Sequence, residues 1–244
     1  MKRVVRATFM ALGMFTALPL PWRPWDEADR ALMIACLPIA GAVVGLLWVA
    51  LAMLARWLLP GCAAALIAAL PWLLTGFIHL DGFMDTSDAL LSWRPLEERL
   101  RILKDAHTGA FAVIAMAVLA LFSYDAAAHL PFDLRALLFV SVISRCCSSF
   151  FVMTLRPIGH SQYAGLQENP GLRLAVVAMW LIAMVACAAW VGGVVLVLAV
   201  ETLAYVLAML ASFRALKGVS GDTAGFALSI AECAALATLA NMAA

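Results

Sequence analysis

Long apolar stretches separated by short polar segments fill the chain from about residue 31 to its C-terminal end. A helix needs roughly 20 apolar residues to cross a bilayer, and the stretches have about that length. The pattern predicts seven transmembrane helices, at about 31–58, 61–79, 110–130, 134–155, 174–190, 193–213 and 224–243. We therefore expect an all-α fold, in the form of a polytopic integral membrane helix bundle.

The first 20 residues have a different pattern. Lys2, Arg3 and Arg6 precede an apolar stretch, an order that is also typical of a secretory signal. No cleavage site between small residues follows, because Leu18-Pro19-Leu20-Pro21-Trp22 comes next. We predict a retained interfacial or re-entrant helix, with a cleaved signal as the alternative.

Composition agrees with a membrane protein and narrows the function. The mean hydropathy is +1.00 and only 13% of the residues are charged, so no soluble domain is evident and residues 1–244 are predicted to form a single membrane-embedded domain. The net charge of +1 and the scattered basic residues argue against a nucleic-acid partner. The six cysteines form no CxxC pair, which argues against a zinc site.

The basic residues collect on one side of the predicted bundle. They are Lys2, Arg3, Arg6, Arg23, Arg30, Arg94, Arg99, Arg101, Lys104, Arg156, Arg173, Arg214 and Lys217. By the positive-inside rule that side is cytoplasmic. The polar segments 80–109, 156–173 and 214–225 all fall there, and the opposite connections are short and nearly uncharged. We therefore expect an active site at the cytoplasmic membrane boundary.

Three carboxylates directly follow an apolar run. Asp81, Asp85 and Asp88 are spaced i, i+4 and i+7, which puts them on one face of a helix. Carboxylates so close beside a bilayer are retained mainly where a cation neutralises them, and a set of oxygen ligands suits Mg²⁺. The alternative is an ordinary solvated first turn, where the helix dipole favours acidic residues.

Two further sites carry charges near predicted spans. Lys104, Asp105 and His107 precede the helix-breaking Gly109, where the lysine would hold a phosphate and the histidine would take part in catalysis or cap a helix. Arg145 lies in the middle of a predicted span, so it should face an anionic partner. We expect either a phosphate of the substrate or one of the aspartates.

The last polar loop is rich in glycine. Gly218, Gly221 and Gly225 would let the backbone approach a phosphate, and Asp222 would cap the next helix or join a metal site. The loop at 156–173 adds His160, Gln162 and Tyr163, which would cover a polar substrate or simply form a loop. A glycine-rich turn alone is weak evidence for a phosphate site. The aspartates predicted on the same membrane face strengthen this interpretation.

Taken in order, these motifs resemble one family. His79-Leu80-Asp81-Gly82-Phe83-Met84-Asp85-Thr86-Ser87-Asp88, then Arg99–Phe111, then Gly218-Val219-Ser220-Gly221-Asp222-Thr223-Ala224-Gly225 are similar to the adenosylcobinamide-GDP ribazoletransferases, the cobalamin synthase family. The similarity includes Phe15–Pro21 and Leu37–Gly45, and so covers nearly the whole chain.

The resemblance implies a magnesium-dependent transferase of cobalamin biosynthesis in a bacterial cytoplasmic (inner) membrane. α-Ribazole, or its 5′-phosphate, would attack adenosylcobinamide-GDP, forming adenosylcobalamin or its 5′-phosphate and releasing GMP. The implied site residues are Asp81, Asp85 and Asp88 for Mg²⁺ and catalysis, Lys104 for catalysis, and Asp105, His107, Arg145, Gly218, Gly221, Asp222 and Gly225 for substrate.

Two other functions stay open from the sequence. A CDP-alcohol-type phosphatidyltransferase also combines spaced aspartates with magnesium, although its Asp-x-x-Asp-Gly signature followed by Ala-Arg is absent here. A small-molecule transporter would need polar groups on a path to both membrane faces. The expected partners are the two small-molecule substrates and membrane lipid, and a homo-oligomer is left open.

Overall fold

The computed structural model describes residues 2–159, 166 and 169–243, and within them the named secondary-structure elements are all helices, joined by irregular connections. A short 3₁₀ turn spans Glu27–Asp29. The helices are α1 (Lys2–Phe15), α2 (Arg30–Ala35), α3 (Leu37–Leu58), α4 (Ala63–Leu74), α5 (Ile78–Leu91), α6 (Leu96–Ile102), α7 (Ala110–Ala128), α8 (Ala136–Val152), α9 (Pro170–Val191), α10 (Val195–Leu216) and α11 (Gly221–Ala243). His160, Gln162 and Tyr163 lie outside the described residues.

The predicted polytopic helical bundle is confirmed. Five helices in the described part of the chain are long and apolar enough to cross a membrane, and α4 with α5 makes a sixth candidate if the bent pair counts as one span. The α8 helix is shorter, at 17 residues, and is almost entirely buried among its neighbours. Each of the seven predicted segments therefore contains an apolar helix, but the described residues do not form seven full-length spans.

The predicted span 31–58 is wrong as a continuous helix. The chain interrupts it at Cys36, so that α2 and α3 are separate helices. Pro38 lies in the first turn of α3, where its missing N–H costs nothing, whereas within a continuous helix it would remove a hydrogen bond.

The predicted span 61–79 is also wrong at its end. The α4 helix ends at Leu74, and α5 leaves it at an angle of 91°. Gly76 and Phe77 both have left-handed backbone conformations, with φ of 60° and 63°, and two such residues in succession turn the chain sharply. The turn takes the aspartate-bearing helix out of line with the apolar helix before it.

The N-terminal helix packs against the bundle by one face. Ala7, Met10, Ala11 and Phe15 of α1 are buried, whereas its first turn is exposed. A helix is therefore present within residues 1–20 and ends at Phe15, and its predicted interfacial or re-entrant position stays a prediction. The backbone N–H of Ala17 then donates to the carbonyl of Leu74 at 2.9 Å, so the N-terminal segment is fastened to the bend between α4 and α5.

Three polar connections meet at one end of the bundle. The backbone of Ile158 donates to the carbonyl of Val219 at 2.9 Å, and Val219 donates to the carbonyl of Arg156 at the same distance. The carboxylate of Asp88 accepts from the backbone N–H of Ala112, at the start of α7. The segments predicted to share one membrane face therefore lie together.

Candidate active site

The three aspartates predicted to share a helix face all belong to α5. Asp81 is exposed, and Asp85 and Asp88 are partly buried. Between them, Gly82, Phe83, Thr86 and Ser87 face the interior, as the helical period requires. The prediction of one carboxylate-bearing helix face is confirmed.

A close crossing of α5 and α11 brings a fourth carboxylate to this face. A Cβ atom on Gly82 would lie 2.7 Å from the Cα of Asp222, and a Cβ on Gly225 would lie 2.8 Å from the carbonyl oxygen of His79. Only glycine permits both approaches, because a side chain at either position would overlap the backbone of the other helix. The crossing therefore fixes Asp222 against the helix of the three aspartates.

The four carboxylates form one acidic cluster. Those of Asp81, Asp222 and Asp88 are each close enough to repel that of Asp85. Within the described residues, no lysine, arginine or histidine forms an ion pair with any of the four. The repulsion within such a cluster is relieved when a cation or a cationic ligand binds, or when one carboxylate takes up a proton.

Ser220 and Thr223, and not Asp222, cap the start of α11. The hydroxyl of Thr223 accepts from the backbone N–H of Ser220 at 2.8 Å, and the Ser220 hydroxyl accepts from the N–H of Thr223 at 3.3 Å. This reciprocal pair caps the helix. The alternative that Asp222 is the cap is therefore wrong, and among the described residues its carboxylate accepts from the Ser220 hydroxyl alone, at 3.2 Å.

A small cavity of about 120 Å³ lies beside the acidic cluster. Asp81 and Asp222 line it together with Gly221 and His79, and Phe15 of α1 closes one side. The His79 ring is buried and stacked on Phe15 at 6.2 Å between ring centroids. Its Nε2 atom has no hydrogen-bond partner in the described structure. The cavity therefore combines carboxylates, an imidazole and the first turn of α11.

Asp88 has a structural partner of its own. It accepts from the N–H of Ala112 at 3.3 Å, which makes its carboxylate the cap of α7. The same carboxylate occupies the space that a side chain on Gly109 would need. Asp88 thereby holds the loop before α7 against α5, which is a role that the sequence did not predict.

Lys104, Asp105 and His107 lie in that loop and are exposed. The backbone N–H and the ring Nδ1 of His107 both contact Asp105, at 3.0 and 2.7 Å. The backbone hydrogen bond, then the ring contact, lowers the pKa of Asp105 below its usual value. The predicted roles of these three residues toward substrate stay predictions.

Arg145 is paired inside the bundle. It is 2% exposed and forms an ion pair with Glu232 of α11. The alternative of a pair with one of the aspartates is therefore wrong, because α8 crosses α11 well away from the first turn that carries Asp222. The predicted contact with a substrate phosphate stays a prediction, and in the described structure the guanidinium serves an interhelical pair.

The glycines of the last loop divide into two groups. A Cβ on Gly218 would lie 2.8 Å from the backbone nitrogen of Ile158, so Gly218 serves the contact between two loops, as Gly225 serves the helix crossing. Gly221 lines the cavity. Of the three predicted phosphate-binding glycines, Gly221 is the one that the structure places at the carboxylates.

The cluster fits some metal ions and not others. Among the described residues no three histidine, cysteine, aspartate or glutamate side chains converge as a ready-made metal site. A zinc or calcium cage made only by protein is therefore not supported. Mg²⁺ commonly binds through one or two carboxylates and completes its octahedron with phosphate oxygens and water, so two of Asp81, Asp85 and Asp222 would be enough to hold it.

Comparison with known proteins identifies the family. The model of the family described as "Cobalamin-5-phosphate synthase" matches residues 7–240. The chain belongs to this family. The adenosylcobinamide-GDP ribazoletransferase of Clostridium perfringens strain SM101 is 34% identical over 242 residues, which are 95% of this chain and 96% of the relative. That of Clostridium botulinum strain Alaska E43 is 34% identical over 247 residues, 97% of each chain.

A relative from a genus other than Clostridium gives the same result. The adenosylcobinamide-GDP ribazoletransferase of Deinococcus radiodurans is 36% identical over 233 residues, which are 95% of this chain and 84% of the relative. No solved structure matches the chain. The cobalamin-5-phosphate synthase family is one of transferases of cobalamin biosynthesis, so the phosphatidyltransferase and transporter alternatives have no support from these matches.

Three functional contributions escaped the sequence analysis. Gly82 allows the helix crossing, Gly109 makes room for Asp88, and Glu232 neutralises Arg145. The signal for Glu232 was present, because an acidic residue within an apolar span calls for a buried partner and Arg145 needed one. The two glycines had no such signal, since neither has a left-handed conformation or a charge.

Proposed function

We propose that this chain joins α-ribazole, or its 5′-phosphate, to adenosylcobinamide-GDP at the acidic cluster. A ribose hydroxyl oxygen forms a bond to the phosphorus next to the corrinoid side chain, the bond from that phosphorus to GMP breaks, and the hydroxyl proton is released. The observation that carries the proposal is the cavity that Asp81 of α5 and Asp222 of α11 line together, with Asp85 one helical turn from Asp81, in a member of this family.

The proposed residues act mainly through charge and position. Asp81, Asp85 and Asp222 would hold Mg²⁺, which supplies charge neutralisation for a diphosphate when it is bound. Transfer at phosphorus needs positioning and electrostatic stabilisation more than a covalent nucleophile. One carboxylate of the cluster would accept the proton of the attacking hydroxyl. Asp88 would act indirectly, by keeping the loop before α7 against the site.

The first turn of α11 supports a diphosphate in the cavity. The N-terminus of a helix carries a partial positive charge, and α11 is 23 residues long. Its first residue, Gly221, lines the cavity beside the carboxylates. Backbone N–H groups there would bind phosphate oxygens, as helix N-termini commonly do. Lys104 would add a further positive charge from the loop before α7.

The proposed location is the cytoplasmic face of a bacterial inner membrane. The polar connections that meet around the site, together with the N-terminal segment 2–30, contain 13 of the 16 lysine and arginine residues of the chain. The opposite end has fewer charges, and there Arg56 donates to the carbonyls of Leu130 and Pro131 while Arg135 pairs with Asp133. The positive-inside rule therefore favours a site that faces the cytoplasm.

A reconstitution with purified protein tests this function. The protein in detergent would receive adenosylcobinamide-GDP and α-ribazole, each with and without Mg²⁺, and product and GMP would be separated by chromatography. We expect equimolar corrinoid product and GMP only with both substrates and the metal. If neither α-ribazole nor its 5′-phosphate yielded product at any Mg²⁺ concentration, the proposed function would be wrong.

A further inference from the structure

A second cleft borders the face of α1 next to the one that borders the cavity of the acidic cluster. It has a volume of about 280 Å³ and is formed by one face of α1 and the segment that follows it. We name it the Arg23 cleft after the charged residue among its lining residues Phe9, Gly13, Met14, Arg23 and Trp25. It differs from the apolar grooves of the bundle because it combines a cation with aromatic rings.

Arg23 is the charged group of this cleft and has no acidic partner among the described residues. Three acidic residues follow it, and each is paired elsewhere. Asp26 pairs with Arg6, Glu27 with Arg30, and Asp29 with both Arg3 and Arg6. The Arg23 Nη2 donates to the carbonyl of Leu18 at 3.0 Å, which orients the guanidinium and leaves further N–H donors.

The stem of Arg23 is held against α1. Its Cγ atom would be 3.7 Å from a Cβ on Gly13, so the side chain lies across the helix at its smallest residue. A guanidinium fixed in this way presents a planar set of donors, which suits phosphate oxygens. Arg23 is thus oriented to bind an anion, and the described residues of the protein do not supply one.

Aromatic side chains surround this arginine. Phe9 and Trp25 line the cleft, and Trp25 is 58% exposed. Phe9 also contacts the ring of Trp22 at 5.2 Å between centroids, which steadies the aromatic wall. Exposed aromatic rings beside an arginine offer stacking surfaces for a planar base.

The cleft is next to the acidic cluster. Met14 lines both the Arg23 cleft and the cavity of Asp81 and Asp222. The two spaces are therefore neighbours on α1 that share the Met14 side chain, and an extended ligand would pass over this residue to occupy both. A ligand bound in the cleft would have a phosphate near Arg23 and its reacting end toward the carboxylates.

We propose that the Arg23 cleft binds the guanosine monophosphate half of the nucleotide substrate, with Arg23 on a phosphate and Trp25 and Phe9 on the base. This inference rests on the proposed function. The arginine favours this half over unphosphorylated α-ribazole, which has an aromatic base but no negative charge for a guanidinium to bind. Arg23 also neutralises the negative charge that remains on GMP when the phosphorus–oxygen bond breaks.

The experiment measures binding of GMP itself by equilibrium dialysis of the full-length protein in detergent, without Mg²⁺. Arg23→Gln and Trp25→Leu are the variants, and Arg94→Gln and Trp93→Leu are the matched controls, since these residues are also exposed and lie outside the cleft. We expect both cleft variants to raise the Kd for GMP at least tenfold, and both controls to stay within twofold of the wild type.

Separate ligands assign the two parts of the cleft. Inorganic phosphate should compete with GMP for the wild-type protein, and this competition should weaken mainly in Arg23→Gln. Competition by guanosine should weaken mainly in Trp25→Leu. Under turnover, the KM for adenosylcobinamide-GDP should rise in both cleft variants while the KM for α-ribazole stays within twofold. Arg23→Lys should recover only part of the affinity, because a lysine keeps the charge but loses the planar fork.

A GMP affinity that is unchanged in either cleft variant would overturn the inference. Normal GMP binding in Trp25→Leu would make this ring an interfacial side chain and not a surface that stacks on the base. If the wild type transfers ribazole and the cleft variants behave normally, this inference fails and the proposed function stands. If the wild type binds GMP at the cleft but transfers nothing, the proposed function fails.

Discussion

Arg145 of α8 and Glu232 of α11 form an ion pair in the interior of the bundle, where they are 2% and 4% exposed. The hydroxyl of Ser144 also donates to Glu232, at 3.0 Å. Glu232 follows Asp222 on the same helix by ten residues, or about 15 Å. The pair therefore fixes the helix that carries one of the four clustered carboxylates.

Glu232→Gln tests the contribution of this pair to stability. The amide keeps the shape but removes the negative charge, so Arg145 loses its ion-pair partner, and breaking a buried pair costs about 3–5 kcal/mol. We expect a clearly lower thermal midpoint in detergent. The double variant Arg145→Met with Glu232→Leu removes both charges and should recover most of the loss. A double variant as unstable as the single one would contradict this account.

The helix crossing is tested by adding one methyl group. Gly82→Ala and Gly225→Ala would each place a Cβ within 2.8 Å of backbone atoms of the facing helix. We expect about 1–3 kcal/mol of destabilisation from overpacking and a larger loss of transfer activity, since α11 would have to move away from α5. Thermal unfolding and turnover measured together provide the readout.

Gly61→Ala is the matched control for both variants, because no atom lies within 4 Å of its added Cβ. It should have normal stability and turnover. If Gly82→Ala and Gly225→Ala were equally normal, the close crossing would not be needed to place Asp222.

Asp88→Asn should differ from Asp85→Asn in how its turnover depends on the Mg²⁺ concentration. In Asp88→Asn the amide oxygen can still accept from the N–H of Ala112, so we expect turnover within about tenfold of the wild type and an unchanged half-saturating Mg²⁺ concentration. Gly109→Ala should be more harmful, since its methyl group would displace the Asp88 carboxylate. A large rise in the Mg²⁺ requirement of Asp88→Asn would instead make Asp88 a ligand.

The docking of α1 should depend on pH through Asp29. Hydrogen bonds from Arg3, then from Arg6, lower the pKa of this buried carboxylate below its usual value of 3.8. A lowered pKa in the folded state means that the stabilisation is complete above about pH 4 and is lost as the pH falls below 3.8 toward the folded-state pKa. The wild type should therefore lose its advantage over Asp29→Asn in acid.

The measurement is the thermal midpoint of both proteins at a series of pH values in one detergent. The difference should be constant from pH 7 to about pH 5 and should shrink below that. A difference that stayed constant down to pH 2, or that grew in acid, would contradict the role of the Asp29 carboxylate.

Local spacing predicted the aspartate-bearing helix, because the positions of Asp81, Asp85 and Asp88 depend only on the helical period. The length of the apolar stretches predicted the bundle, since this length is also a local property of the sequence. The bend at Gly76 and Phe77 was not predictable, since Phe77 is an ordinary apolar residue that takes a left-handed conformation only in its tertiary setting. The span 61–79 was therefore drawn too long.

Contacts between distant parts of the chain account for the other differences. The partner of Arg145 depends on the register of α8 against α11, which no local pattern encodes. Asp88 has the same side chain and helical spacing as Asp85, yet the loop before α7 reaches it and not its neighbour. Which members of a cluster bind ligand and which support the fold is decided by such packing.

Turnover of Asp85→Asn across a magnesium titration tests the central claim most directly. The measured quantity is GMP released from adenosylcobinamide-GDP in the presence of α-ribazole, with Asp81→Asn and Asp222→Ala measured alongside. We predict loss of turnover in Asp85→Asn and Asp81→Asn, and at least a tenfold reduction in Asp222→Ala, or about 1.4 kcal/mol of transition-state stabilisation, with thermal midpoints near that of the wild type. Near-normal release by Asp85→Asn at limiting Mg²⁺ would contradict the assignment of the transfer site to this cluster.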